Sequence, residues 1–477
     1  MPPAPQFLSM PTEIQTLAAT QDKAFYINMD NAFYGSFAEI GAGQETANWF
    51  FRSSGAAGTV AKTISAYDMT VSDTQYGAVR RYVSEERLKQ MMEYEYAQLV
   101  DRLGEKRGAS TCFFSFCSTV KCKGYKDNGP WAAWIGVRFQ LKPEAPPSDL
   151  VMHVRLLVPD QDVQKRVLGI LGVNLLYALF YKRERMEEFV SCVGENLDRS
   201  LYEVDLMRFS GHGFSMFDNR ILALQLVQSG LSEATLFCPV LQMVQQPSDF
   251  LYKRPIVLMR GSFLPLCNIH LEMMNSVRNK FFESLTEEQR TRAVDICEIS
   301  LSNLLRGHEV DLLDFLDRVD ALAAAGKTVL VTNITHFHSI STLLNQYTRE
   351  PVAIALSIGL LHELFKEKWA DMPGGILTSM AHIFLNQTKC YVTPWINRKT
   401  GEFVTAGTYR APEKYHYLYK HLLVNDYIVE VPYFNQKLLF QTPRDIIHMI
   451  NEGREEWKEY VPEVAHRMAE HLKGGHS

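Results

Sequence analysis

Two glycine-rich turns near the start of the chain have the composition of loops that contact phosphate. They lie in Phe33–Thr70, which reads FYGSFAEIGAG, QETANWFFRSSGAAG, TVAKTISAYDMT. Gly41 and Gly43 follow an apolar, strand-like run. Gly55, Gly58 and Thr59 sit just ahead of Lys62, and Asp68 closes a β-branched run. Glycine lets backbone approach a ligand, and a helix N-terminus offers free N–H groups to negative charge. Gly41, Gly43, Gly55, Gly58, Thr59, Lys62 and Asp68 are therefore the expected ligand-binding group, with Lys62 neutralising phosphate. The pattern is not a full dinucleotide fingerprint, because Thr46 stands where the third glycine belongs, and no Walker sequence is present. The plainer alternative is that Gly41 and Gly43 make a tight connection while Gly55 and Gly58 end a helix.

A second set of candidates comes from the ends of expected strands, where open α/β sheets bind ligands. The loop SGHGFSMFDNR after Tyr202–Phe209 carries His212 between glycines, then Asp218 and Arg220. An imidazole there can move a proton, and an arginine can grip phosphate at two points. Arg260, in Arg260-Gly261-Ser262, is the fourth residue of this expected catalytic group. Asp218 as a helix cap and Gly261 as a simple turn are the alternatives. His336 and His338 follow another strand, but no acid lies near them in sequence, so no metal site is assigned. Cys112, Cys117 and Cys122 are evenly spaced without a C-x-x-C pair and read as core thiols rather than a zinc site.

These residues need a scaffold, and 477 residues provide for two or three domains. Charged residues make up 22% and the net charge is -5, which argues against a general nucleic-acid binder. The N-terminus lacks the basic and apolar regions of a secretory signal. Val167–Phe180 is apolar but too short to span a bilayer. A cytoplasmic, soluble protein is expected, and self-association as a homo-oligomer is compatible with it.

The spacing predicts a helix over Ser84–Leu103, capped by Ser84, and strands over Ser110–Val120 and Ala132–Gln140. The sequence PEAPP at Pro143–Pro147 reads as a boundary. Strands then alternate with helices through Thr393. Lys327–Asn333 and Val352–Ile358 are continuous β-branched runs of the kind buried on both faces of a parallel sheet. The expected fold is α/β: a mainly parallel sheet with flanking helices, an N-terminal α+β region and a helical C-terminal tail. Its expected divisions are a flexible lead over 1–22, an α+β region over 23–147, the α/β domain over 148–410 and the tail over 411–477.

Several stretches together, among them FAEIGAGQETA, GTVAKTISAYDM, LGVNLLYALFY, LYKRPIVLMRGSF and GKTVLVTN, resemble a family of long cytosolic proteins, mainly bacterial and cyanobacterial. Its members are labelled nicotinate-nucleotide adenylyltransferase or TonB-dependent receptor. The second label implies an outer-membrane barrel with a signal peptide, which this chain does not resemble. The first implies nucleotidyl transfer in NAD metabolism, with H-x-G-H and I-S-S-T-x-x-R motifs. Here Gly211-His212-Gly213 lacks the paired histidine, and Ser339-Ile340-Ser341-Thr342 lacks the arginine, so the label transfers no catalytic residue. The expectation is an enzyme, a transferase, that binds a nucleotide or small phosphorylated ligand. The residues name no cofactor; nucleotidyl transfer would bring ATP with Mg²⁺. Two alternatives stand beside it. One is a non-catalytic assembly or regulatory protein. The other is a methyltransferase, since FAEIGAG resembles the first half of that nucleotide loop, with Asp68 then meeting the ribose of S-adenosylmethionine.

Overall fold

The computed structural model describes residues 13–126, 129–239, 243–307, 309–366, 373–397, 400–432 and 435–472. The chain forms two compact units, Met1–Glu233 and Ala234–Ser477.

The first unit runs α1 (Glu13–Asn28), β1 (Phe33–Ile40), α2 (Glu45–Arg52), β2 (Val60–Ile64), α3 (Met69–Tyr76), α4 (Glu85–Arg107), β3 (Cys112–Lys121), β4 (Trp131–Phe139), β5 (Ser148–Leu156), α5 (Gln161–Tyr181), α6 (Met186–Val193), β6 (Tyr202–Gly211) and α7 (Asn219–Gln228). Its sheet has the order β2-β1-β3-β4-β5-β6. The pairs β1–β2 and β1–β3 are parallel, and β3 through β6 are antiparallel. Alternation along β1 and β3 sends Phe37, Phe114 and Phe116 to one face, where they join α1, α2 and α5 in the larger core. The other face carries α4. Ser84 caps that helix by accepting from the Arg87 N–H, and Leu88, Met91 and Met92 are fully buried. α5 is the only described helix long and apolar enough to cross a membrane, and 78% of its apolar window is buried inside the protein.

Two expected divisions are corrected. Of the lead over 1–22, residues 1–12 lie outside the described residues, and α1 already begins at Glu13. The division at 147/148 falls inside a hairpin. The segment Pro143–Pro147 merely joins β4 to β5, and these strands pair from Trp131↔Leu156 to Phe139↔Ser148. Proline marked a turn there and not a linker. β5 and β6 therefore complete the first sheet, and the second unit starts at Ala234.

The second unit runs β7 (Ala234–Cys238), β8 (Met243–Gln245), α8 (Pro247–Phe250), β9 (Ile256–Arg260), α9 (Asn268–Phe282), α10 (Glu287–Arg292), β10 (Val294–Ser300), β11 (Leu305–Arg306), β12 (Glu309–Val310) and α11 (Leu312–Ala324). It continues with β13 (Thr328–Thr332), α12 (Phe337–Tyr347), β14 (Val352–Ser357), α13 (Ile358–Leu364), α14 (Ile376–Ile383), β15 (Thr388–Thr393), β16 (Trp395–Ile396) and β17 (Phe403–Val404). α15 (His416–Val424), β18 (Ile428–Glu430), α16 (Pro443–Asn451) and α17 (His466–His471) complete it. The sheet order is β18-β15-β14-β9-β10-β13-β7-β8. The strands from β18 to β13 are parallel, while β7 and β8 add antiparallel pairs at one edge. β13 and β14 thus share one mainly parallel sheet, as their apolar runs predict. The tail is helical, but Ile428–Glu430 leaves it to become the edge strand β18.

Numbered along the chain, the six parallel strands lie in the order 6-5-4-1-2-3. This is a doubly wound sheet. Growth from β9 proceeds through β10 and β13 on one side, then resumes on the other through β14. The helices follow suit. α9 and α11 make the early crossovers, and α12, α13, α14 and α15 pack into the core on the opposite face.

Gly41 provides a direct test of the first unit's geometry. Its φ is +102°, and a Cβ there would lie 2.0 Å from the Val120 carbonyl oxygen. Backbone cannot yield as a side chain can. Gly41→Ala should therefore destabilise the protein by about 3 kcal/mol or more, measurable by chemical denaturation. A change below about 0.5 kcal/mol, as at an ordinary surface position, would show that this approach is not needed.

Candidate functional site

The glycine turns of the first unit are already occupied by the chain itself. β1 ends in Glu39, whose carboxylate turns back to accept the N–H groups of Thr46 (3.1 Å) and Ala47 (2.9 Å) at the start of α2. Glu39 therefore sits where phosphate was expected. It is 4% exposed. Burial raises its pKa to about 7, outweighing the opposite effect of the two N–H groups.

The second turn packs on α1. A Cβ on Gly55 would meet the Met29 side chain, one on Gly58 would meet the Asn28 carbonyl, and the Thr59 hydroxyl donates to Ile27 O. Lys62 pairs with the buried Glu95 carboxylate, which also accepts from Tyr76 Oη (2.9 Å) and Gln75 Nε2 (3.0 Å). Asp68 caps α3 through the Val71 N–H at 3.1 Å. Gly41, Gly55, Gly58, Thr59, Lys62 and Asp68 are thus each engaged within the first unit, and Gly43 takes a φ of +83° in the turn before α2.

The expected catalytic group is also divided. His212 is exposed in a 3₁₀ turn (His212–Phe214) that packs against Ser148 through the Gly213 N–H. Asp218 caps α7 and holds Arg220 at 2.7 Å. Burial pushes the Asp218 carboxyl up, but Arg220 more than reverses this, so its pKa stays below the ordinary value. Lys62 on β2 and His212 after β6 lie at opposite edges of the six-stranded sheet. Five strand spacings separate those edges, roughly 24 Å. A site shared by Lys62 and His212 is therefore ruled out. Arg260 belongs to the second unit.

Around Arg260, several strand-end residues do converge. Arg260, Thr335, His336, His338 and Glu363 line one cleft of about 210 Å³, together with Ser300, Ser302, Asn303 and Ser379. Phe337, Leu360, Leu364 and Ile383 give it apolar walls. The cleft lies beyond the C-terminal ends of β9, β10, β13 and β14, where the sheet reverses its direction of growth.

Two arginines fix its rim. Arg260 donates Nε and Nη2 to Glu298 (2.6 and 3.0 Å), Nη1 to Thr335 O (2.6 Å) and Nη2 to Ile334 O (2.6 Å). Thr332 Oγ1 adds a donation to Glu298 at 2.6 Å. Arg318, fully buried, donates Nη1 to Ser262 O (3.0 Å) and Asn303 O (2.9 Å) and pairs with Asp314. The loops after β9, β10 and β13 are thus tied by charge-assisted bonds to carbonyl oxygens. Arg260 acts here as a positioning residue and not as a free phosphate clasp.

His336 and His338 stack with ring centroids 5.1 Å apart. The N-terminus of α12 opens beside them without a side-chain cap. Ser300 and Ser302 approach hydroxyl to hydroxyl at 2.8 Å, and Ser379 Oγ lies 3.3 Å from His338 Nδ1. Among the described residues no cluster of three or more His, Cys, Asp or Glu could hold a metal ion. All eight cysteines are free.

Sequence reasoning named Arg260, His336 and His338 as strand-end residues but missed Ser300, Ser302, Asn303 and Ser379. One signal was available: Glu298 is the acid in the middle of ICEIS, and a charge inside a buried strand requires a partner.

No protein-family model matches the chain, and no curated protein matches it. Among solved structures it is similar to competence/damage-inducible protein CihA from Agrobacterium tumefaciens, at 15% identity, covering 34% of this chain and 94% of that one, with a TM-score of 0.26. Competence damage-inducible protein A (ComA) from Klebsiella pneumoniae gives 13% identity, 36% and 98% coverage and a TM-score of 0.26. A competence-damaged protein (CinA) superfamily protein from Escherichia coli gives 13%, 35%, 88% and 0.23. At these values the likeness carries no weight for fold or activity.

Proposed function

We propose that the second unit binds a small phosphorylated metabolite of mononucleotide size or less in the cleft beside Arg260, and that the protein is an enzyme acting on it. The observation that carries this reading is the cleft's place at the reversal of a doubly wound sheet, where such sheets bind ligands. The uncapped start of α12 and the imidazoles of His336 and His338 supply donors for an anion. Phe337, Leu360, Leu364 and Ile383 supply a surface for a flat or apolar part. A volume of about 210 Å³ is below the ~300 Å³ at which pockets for drug-sized ligands begin, so a dinucleotide exceeds it. Nucleotidyl transfer in NAD metabolism rests on the family resemblance alone and is not part of this proposal, because its dinucleotide product exceeds the cleft. The cleft's residues do not fit ATP with Mg²⁺. Its one acid is Glu363, already paired with Lys366.

The test is calorimetry with NMN, NaMN, AMP, NAD, ATP and S-adenosylmethionine. A mononucleotide should bind wild-type protein. Ser302→Trp, which fills the cleft from an exposed position, should weaken that binding at least about tenfold, a loss of ~1.4 kcal/mol, and leave the unliganded Tm unchanged. No binding of any mononucleotide, or equal binding by the variant, would reject the cleft as the site.

A further inference from the structure

We propose that Ser379 and His338 form a nucleophile–base pair, making the same cleft a site of acyl transfer from a carboxylic ester carried by the phosphorylated ligand. This rests on the cleft being a ligand site.

Ser379 Oγ and His338 Nδ1 are 3.3 Å apart, and the two residues are 7% and 9% exposed. Both line the cleft. Threonines inside the helices of this protein, such as Thr20, Thr74 and Thr342, satisfy their hydroxyls on the carbonyl four residues back. Ser379 forgoes that bond and turns to His338. The supporting helices are fixed to each other. Ser341 of α12 donates to Ile383 O of α14 at 2.7 Å, and Asn345 of α12 bonds Thr388 at 3.2 Å. The base is also held in orientation, since its ring stacks on His336 at an interplanar angle of 13°.

The step follows from this arrangement. With the His338 proton on Nε2, the Ser379 hydroxyl donates to Nδ1. Oγ attacks the ester carbonyl carbon as its proton passes to Nδ1. The tetrahedral intermediate collapses, the C–O bond to the alcohol breaks, and Nδ1 returns the proton to the leaving oxygen. Water then attacks the acyl-enzyme, giving its proton to Nδ1. The acid departs and the Ser379 hydroxyl is restored. Ser300 and Ser302 share one hydrogen bond between two hydroxyls, which leaves one hydroxyl proton for the developing oxyanion.

A fluorophosphonate probe reports an activated serine directly. Incubated with the full chain and followed by peptide mapping, it should give one adduct, on Ser379. Ser379→Ala should abolish the adduct. His338→Asn should slow it at least about 100-fold, while Thr74→Ala, at an exposed position of the first unit, should leave the rate unchanged. Absence of an adduct, or an adduct on another residue, overturns the pair even on wild-type protein alone. Mononucleotide calorimetry on the same sample separates the two proposals. Binding without labelling rejects the nucleophile and keeps the site, whereas loss of both rejects the site.

Discussion

Replacing Arg260 by methionine should lower the stability of the second unit by about 3–5 kcal/mol, the usual result of breaking a buried ion pair from one side. Its partner Glu298 is completely buried on the central strand β10 and would keep only the Thr332 hydroxyl. The carbonyls of Ile334 and Thr335 would lose their donors as well. Arg260→Met/Glu298→Gln should recover part of the loss, because the amide removes the stranded charge. Urea denaturation at neutral pH measures both. If the single variant costs less than about 1 kcal/mol, comparable to an exposed pair, the clamp does not hold the loops as described. The same variant should weaken ligand binding in the cleft, since Thr335 and His336 follow the carbonyls that Arg260 holds.

The second large effect concerns pH. Glu39 has an ordinary pKa of 4.5 and is raised to about 7 by burial in the folded protein. Between those values the folded state binds more protons than the unfolded state, so stability falls as pH rises. The contribution of Glu39 is fully present below pH 4.5 and lost by about pH 7, a change on the order of 3 kcal/mol. Glu39→Gln cannot titrate. The stability difference, wild type minus variant, should therefore shift against wild type by that order between pH 4.5 and 8. Other carboxylates act in both proteins and cancel in the difference. A constant difference across the range would place the Glu39 pKa near its ordinary value and make its two N–H bonds the dominant influence.

How much of this was legible in the sequence differs between the sheets. β13 and β14 were readable because a parallel strand buried on both faces needs a continuous apolar run, and TVLVT and VAIALS are such runs. α4 was readable from its Ser84 cap and apolar stripe. The division between units was not, since a proline-rich hairpin and a proline-rich linker look alike before strand pairing is known. Strand order was hidden too, because local patterns do not say on which side of β9 a strand is added. That order decides which loops meet within the second unit, and it brings Arg260 beside His336 and His338. Ser379 was missed because nothing about a helical serine shows that its hydroxyl turns away from its own helix.

The Glu39 cap also has a consequence for competition. A carboxylate tethered a few residues from the N–H groups of Thr46 and Ala47 is present there at an effective concentration of at least millimolar order. Free phosphate would have to outcompete it and, on succeeding, leave the displaced acid in an apolar interior. The glycine turn that most resembles a ligand loop is thus a receptor supplied with its own ligand, and discrimination against dissolved anions is built into the covalent chain.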